Sequence, residues 1–354
     1  MRLPPALSFL VDEATGMTGA DRFLATLGAK LMAGSLPLAG GALTELPTHP
    51  IIAQHSWLWR ADTGRVIEGL GFGAAGLGQA VPAAAARDWL VGLGEVHETP
   101  VGATARLGWA TSRPLRPAEL RLLHEVARFA TAPLAVLAAR ATQAVLLETY
   151  LGKRSAARVL AGRLRREPGE IIQAALLYAD LRGFTELSEA SAPPEVIATL
   201  DAWFDRIAGA VHAFGGEVLK FIGDGILAIF PIGQRGAPAA CDAAIRAVAA
   251  ARAGMDHLDR SRAAQGLPSL PFGTALHVGE MLWGNIGTAD RLDFTAIGPS
   301  VNLVSRLEGL CRPLGRPVLL SGAFAAATSH PSIPLGRHRL RGIAAPCAVF
   351  GLPA

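Results

Sequence analysis

Two aspartates stand where apolar strands are expected to end or turn. Asp180 follows the apolar run 171–179, and Asp224 separates two further apolar runs, 218–222 and 226–230. A carboxylate among apolar residues needs a partner or a cation, and Mg²⁺ is bound in proteins by one or two carboxylates together with substrate phosphates. The alternative is a purely structural role for each residue, because aspartate also favours a Gly-Asp-Gly turn and the cap of a helix.

The segment that follows the first aspartate is suited to an anion. Residues 181–185, Leu-Arg-Gly-Phe-Thr, pass from a strand to a helix, and the glycine lets backbone N–H groups approach a phosphate. We therefore predict that Gly183, Phe184 and Thr185 form a cradle for a triphosphate.

An amide and a guanidinium lie four residues apart in a helix predicted to begin at Pro299. Asn302 and Arg306 then project from one helical face, and arginine suits the charge that develops on a phosphoryl group. The alternative is an exposed helix face on which Arg306 pairs with a nearby acid.

The elements that must position these residues alternate from residue 171 onward. Gly215-Gly216 ends the first helix, and Gly223-Asp224-Gly225 predicts a tight hairpin. The order β-α-β-β-α-β is that of a ferredoxin-like sheet with helices on one face, so the fold class is α/β, more narrowly α+β. The predicted elements are strand 171–179, helix 195–214, strands 218–222 and 226–230, helix 238–258, and strands 274–278 and 292–297.

The first part of the chain, residues 1–113, is predicted to be a mixed α/β domain without a catalytic motif. Short apolar runs broken by Gly and Pro predict a helix at 21–32 and strands at 56–60 and 105–110.

Residues 114–168 have a helical pattern that Pro133 is expected to kink or divide, and Glu167-Pro168-Gly169 marks the break before a domain at 169–354. This linker is either a plain surface helix or a signalling helix that pairs with its twin in a dimer.

The composition is that of a globular protein. The 354 residues are 51% hydrophobic and 18% charged, and this length suits two domains. The net charge of +4 comes from basic residues mixed with acids, without the basic stripe that nucleic-acid binding needs. The 3 widely spaced cysteines fit neither a disulfide framework nor a metal site. Neither a secretion signal nor a membrane span is predicted, so we expect a cytoplasmic protein.

Four segments, taken in order, resemble the class III adenylate and guanylate cyclases, and the resemblance spans about residues 170–351. The segments are Asp180-Leu-Arg-Gly-Phe-Thr, Lys220-Phe-Ile-Gly-Asp-Gly-Ile-Leu-Ala-Ile-Phe, Gly284-Asn-Ile-Gly, and Phe294-Thr-Ala-Ile-Gly-Pro-Ser-Val-Asn-Leu-Val-Ser-Arg-Leu-Glu.

This resemblance implies a metal-dependent reaction. Asp180 and Asp224 would hold two Mg²⁺ or Mn²⁺ ions, with the backbone carbonyl of Leu181 as a further ligand. One ion would lower the pKa of the ribose 3′-hydroxyl for in-line attack on the α-phosphate, and the other would bind the triphosphate and pyrophosphate. Asn302 would orient the ribose, and Arg306 would stabilise the transition state. The resemblance also implies a head-to-tail homodimer with two equivalent active sites, each with metal carboxylates from one chain and base-reading and transition-state residues from the other.

The base can be inferred from hydrogen-bond donors and acceptors. Lys220 only donates, which suits N1 of adenine, and the Thr295 hydroxyl can accept from the 6-amino group. In the family these positions select the purine, with Lys and Asp or Thr in adenylate cyclases, so ATP is the expected substrate and cyclic AMP the expected product. The alternatives are a cyclase that prefers GTP or a pyrimidine, and a non-catalytic nucleotide-binding module.

Two further expectations follow from the family. The family's phosphate-binding lysine has no clear counterpart, and Arg339 or Arg341 would take its place. The end of the first domain is similar to the last helix of GAF-type sensors, which implies a regulatory domain that responds to an unknown small molecule or protein.

Overall fold

The structure, a computed structural model, describes residues 3–46, 52–72, 84–163, 165, 169–288 and 290–353. It divides into two compact units, Met1–Tyr150 and Leu151–Ala354. The division falls inside the predicted linker 114–168. Residues 166–168, where the break before the last domain is expected, lie outside the described ranges.

The N-terminal unit is built on a five-stranded antiparallel sheet of order β3-β2-β1-β5-β4. One face packs against three helices around Trp59 and Trp109, whose rings meet edge to face at 6.4 Å, and the other face packs against one short helix. The predicted helix and strands of this region are found, with somewhat longer bounds. The elements are α1 Pro5–Asp12, α2 Ala20–Ala33, β1 Leu38–Glu45, β2 Ile52–Arg60, β3 Val66–Phe72, α3 Ala84–Val91, β4 Glu95–Val101, β5 Ala105–Thr111 and α4 Pro117–Leu151.

Helix α4 runs through Pro133, so the expected division at that residue is wrong. The proline ring is buried in the core beside Leu134 and Leu137, and this packing supports a helix that the missing N–H alone would weaken. The chain instead breaks at Gly152, where φ is 76°, before a short helix α5, Lys153–Leu160.

Among the described residues, α4 is the one helix long and apolar enough to cross a membrane. Its first half lies in the core of the N-terminal unit. The buried residues are Leu123, Val126, Ala127, Ala130, Pro133, Leu134 and Leu137.

The C-terminal unit contains the predicted ferredoxin-like arrangement. Its sheet has the order β12-β13-β11-β9-β6-β8-β7, with β10 paired to β9. Within it, the β-α-β-β-α-β core has the antiparallel order β9-β6-β8-β7. The elements are β6 Glu170–Leu181, α6 Phe184–Ala190, α7 Pro193–Ala213, β7 Glu217–Ile222, β8 Gly225–Pro231, α8 Gly236–Ala264, β9 Phe272–Gly287, β10 Leu292–Ile297, α9 Pro299–Glu308, β11 Val318–Ser321, α10 Gly322–Ala327, β12 Ile333–His338 and β13 Cys347–Gly351.

Alternation along β6 divides the core into two layers. Leu177 and Ala179 face the layer of α7 and α8, whereas Leu176 and Tyr178 face the layer of α9. Helices therefore lie on both faces of the extended sheet, although the two helices of the β-α-β-β-α-β core share one face. By the same alternation Asp180 belongs to the α9 side.

Candidate active site

Asp180 lies near the end of β6, close to the start of β8. The Tyr178 hydroxyl donates to its Oδ2 at 3.2 Å. A Cβ added to Gly225 would come within 3.0 Å of the same oxygen and 2.5 Å of the tyrosine hydroxyl. The glycine thus lets β8 pass directly beside the carboxylate.

Asp224 occupies the turn between β7 and β8, as the Gly-Asp-Gly pattern predicts. The preceding Gly223 has a φ of 61°, a left-handed conformation that favours glycine. The indole N–H of the buried Trp203 donates to the backbone carbonyl of Asp224 at 2.9 Å. Trp203 in turn packs against Phe272, with 5.0 Å between ring centroids. The turn is therefore fixed to the core of the C-terminal unit.

The two carboxylates share one electrostatic site. Burial, and then the charge and hydrogen-bonding contact of Asp224, raise the pKa of Asp180 to about 6. A divalent cation would neutralise this repulsion, so the donor set fits Mg²⁺ or Mn²⁺. The described residues contain no cluster of three or more His, Cys, Asp or Glu side chains that could hold a metal. A cation here would depend on two carboxylates, the Leu181 carbonyl, water and substrate phosphates.

The loop after β6 has the predicted strand-to-helix geometry. Gly183 is left-handed, with a φ of 69°, and α6 begins at the next residue. Phe184 packs its ring against the core, whereas Gly183 and Thr185 are exposed. The phenylalanine ring therefore packs inward, whereas the residues on either side of it face solvent.

Helix α9 presents Asn302 and Arg306 on one exposed face, while Val304 and Leu307 are buried beneath them. Within the described part of the chain, Arg306 forms no ion pair. The alternative in which Arg306 pairs with a nearby acid is therefore not found there. Neither residue hydrogen-bonds to the carboxylates of its own chain among the described contacts.

Lys220 and Thr295 lie on neighbouring structural elements. Lys220, on β7, forms an ion pair with Asp293 of β10. Thr295 lies two residues further along β10, on the same face as Asp293, and its strand partner is Gly284. The lysine is therefore held next to the threonine's strand instead of extending freely into solvent.

Sequence reasoning missed three residues at the site: Asp293, Arg182 and Glu308. The Arg182 guanidinium bonds to the buried Glu308 carboxylate. Burial raises the pKa of Glu308 to about 7, which Arg182 opposes and the two site carboxylates reinforce. The sequence offers two signals: an acid at the end of the helix that carries Asn302 and Arg306, and an arginine in the loop predicted to bind an anion. Neither signal identifies its partner.

Arg339 and Arg341 are both exposed beyond β12. Strand β12 is separated from β6 by three other strands, β13, β11 and β9. One chain therefore does not bring either arginine to its own carboxylates.

The comparisons with known proteins agree with this geometry. Residues 168–321 match the family described as the adenylate and guanylate cyclase catalytic domain. They belong to the class III nucleotide cyclases. The motif residues discussed above from Asp180 to Arg306 all lie within this cyclase domain.

Two relatives show how much of the chain the likeness covers. Adenylate cyclase 1 of Rhizobium meliloti (strain 1021) is 33% identical over 171 residues, which are 47% of this chain and 25% of that protein. The adenylate cyclase of Anabaena cylindrica is 32% identical over 160 residues, 44% of this chain and 31% of that protein. The chain thus spans between a quarter and a third of these curated relatives.

A bacterial light-regulated adenylyl cyclase of known structure has the same fold, with a TM-score of 0.53 and 20% identity over 72% of this chain and 85% of that chain. The cyclase domain therefore has the fold that its sequence motifs imply.

Proposed function

We propose that this protein is an adenylate cyclase that converts ATP to 3′,5′-cyclic AMP and pyrophosphate. The observation that carries the proposal is the pair Asp180 and Asp224, brought together at one end of the cyclase sheet with an elevated pKa on the first. A non-catalytic nucleotide-binding module would have no need of two carboxylates that repel each other. The intracellular substrate and the free cysteines favour the cytoplasm.

The carboxylates and the adjoining loop would bind the metal and triphosphate. Bound Mg²⁺ or Mn²⁺ would supply Lewis acidity, activating the ribose 3′-hydroxyl and neutralising pyrophosphate. Asp180, Asp224 and the Leu181 carbonyl are the proposed ligands. Gly183 and Thr185 would present backbone N–H groups to the phosphates.

The proposed base site is formed by Lys220 and Thr295. The ammonium donates to N1 of adenine, and the threonine hydroxyl accepts from the 6-amino group. Guanine carries a donor at N1. Two donors, the guanine N1–H and the lysine ammonium, would therefore face each other. The ion pair with Asp293 supports this role because it holds Lys220 against the strand that carries Thr295.

The remaining proposed residues, Asn302 and Arg306, act across a dimer interface. Both side chains are exposed on α9, and neither bonds to the carboxylates of the same chain among the described contacts. In a head-to-tail homodimer each active site would combine the carboxylates of one chain with the base-reading, ribose-orienting and transition-state residues of the other.

Regulation by the N-terminal domain would pass through α5. Arg154 forms two bonds of 2.7 Å with Glu217 of β7. Arg158 lies 4.8 Å from the centre of the Trp283 ring, which stacks on Phe294 beside the base-reading threonine. A movement of α5 would therefore reach the base site through these rings.

The test of the function is product analysis with ATP, GTP, CTP and UTP in the presence of Mn²⁺. We expect cyclic AMP to dominate and to disappear in Asp180→Ala. More cyclic GMP than cyclic AMP would contradict the proposed base site, and undiminished turnover by Asp180→Ala would contradict the metal site.

The test of regulation is deletion of residues 1–113. We expect basal activity or its response to a cell extract to change. If both remained as in the full chain, the N-terminal domain would have no regulatory role in this reaction.

A further inference from the structure

We propose that Arg182 and Glu308 are a pair of positioning residues that links the two active sites of the dimer, an inference that rests on the function proposed above. Arg182 belongs to the loop that follows the metal-binding end of β6. Glu308 is the last residue of α9, two residues beyond Arg306. Within one chain, the pair joins the loop of one active site to the helix that would serve the other.

Glu308 is buried, Arg182 is partly buried, and the two residues make more than one contact. Nη2 of Arg182 lies 2.5 Å from Oε1 of Glu308 and 3.4 Å from its backbone carbonyl oxygen. The side chain of Glu308 is only 7% exposed, against 26% for Arg182. The backbone N–H of Arg182 also donates to the Pro271 carbonyl at 2.8 Å, which fixes the start of the loop. Charge-assisted bonds in such surroundings are short and directional.

A glycine in the sheet leaves the room that this pair occupies. Gly273 of β9 lies opposite Asp180 in the strand pairing. A Cβ at Gly273 would fall 2.0 Å from Nη2 of Arg182 and 2.3 Å from Oε1 of Glu308. The ion pair therefore occupies the surface directly beside the metal-binding carboxylate, where any other residue would displace it.

Two further anchors of α9 are apolar. Val304 and Leu307 are completely buried and hold the helix against the sheet. Apolar burial is non-directional, whereas the bonds from Arg182 to the side chain and carbonyl of Glu308 define where the helix ends. A displacement of the loop at one site would thus move the exposed face that carries Asn302 and Arg306 towards or away from the other.

The test uses a mixed dimer of two differently tagged full-length chains. The first chain carries Asp180→Ala, which inactivates the site formed with its own carboxylates. The active site that remains combines the carboxylates of the second chain with α9 of the first. Arg182→Met is then added to the first chain, where it can reach the active site only through Glu308 and α9. We expect kcat to fall about tenfold while KM for ATP changes less than about twofold, because α9 is misplaced in the transition state.

Three variants of the first chain separate positioning from general destabilisation. Arg262→Met removes a buried arginine of α8, whose Nε–H donates to the Pro268 carbonyl at 2.8 Å, and it is expected to leave kcat unchanged. Arg182→Lys is expected to restore part of kcat. Glu308→Gln is expected to lower kcat without adding to the effect of Arg182→Met.

An unchanged kcat in the mixed dimer with Arg182→Met, or a fall equal to that of Arg262→Met, would overturn the inference. A wild-type chain that forms no cyclic nucleotide would contradict the proposed function itself.

Discussion

Replacing Asp180 by asparagine is expected to make the metal-free protein more stable while abolishing its activity. The folded pKa of Asp180 is about 6, against an ordinary value of 3.8. The folded state therefore binds a proton more tightly than the unfolded state does. This contribution to stability is complete below about pH 4 and is lost as pH rises through about 6. Asparagine keeps the shape and can still accept from Tyr178, but it carries no charge.

The size of the effect follows from the shift. About two pKa units correspond to about 3 kcal/mol at 1.36 kcal/mol per unit. The side chain is only half-buried, so solvent screening lowers this to about 1 to 2 kcal/mol. For a unit of this size, the melting temperature of the variant would be about 2 to 8 °C higher at pH 8. The difference would fall to about a third of this at pH 4.5 and vanish below about pH 4.

Calorimetry of the full chain in a chelator, at pH 8 and pH 4.5, measures this difference. Adding Mn²⁺ is expected to raise the melting temperature of the wild type and to have little effect on Asp180→Asn. Asp205→Asn, an exposed aspartate of α7, is the matched control and should follow the wild type. A variant less stable than the wild type at pH 8, or an equal response of both to Mn²⁺, would refute the reasoning.

Three further predictions concern the cyclase domain. Gly225→Ala places a methyl group 2.5 Å from the Tyr178 hydroxyl, so calorimetry should show a loss of about 1 to 3 kcal/mol and a weaker response to Mn²⁺; Gly209→Ala, with open space around it, should show neither. Burial lowers the pKa of His277 to about 4. Between pH 7.5 and 5, the free energy of unfolding in urea should therefore fall by about 2 kcal/mol more in the wild type than in His277→Gln. Equal losses would contradict this. Lys220→Met should reduce kcat/KM for ATP by about 10- to 100-fold and change stability by less than about 1 kcal/mol, because its ion pair is exposed; equal losses with ATP and GTP would disprove base selection.

The parts of the fold that the sequence predicts are those set by neighbouring residues. The Gly-Asp-Gly turn at Asp224 follows from the conformational freedom of Gly223 and from the apolar runs on either side. Strand β10 and the start of α9 at Pro299 also agree with the prediction. A division at Pro133 is not found, because burial in the core of the N-terminal unit supports the helix through it.

The parts that the sequence does not predict depend on distant partners. Arg182 and Glu308 are 126 residues apart, and Lys220 and Asp293 are 73 apart. Nothing in the local pattern of either residue indicates its partner. The sequence does pair Asp180 with Asp224, because each can be assigned to the end of a strand. An inferred topology can thus replace local signals.

Complementation between two inactive variants tests most directly whether the carboxylates and the α9 residues of one chain serve different active sites. Asp180→Ala and Arg306→Ala are purified separately, then mixed under conditions that exchange subunits, and cyclic AMP formation from ATP is measured with Mn²⁺. Each variant alone is expected to be inactive. The mixture is expected to regain about a quarter of wild-type activity, because about half of the dimers are mixed and each holds one intact site. A mixture that stays inactive although mixed dimers form would contradict the account.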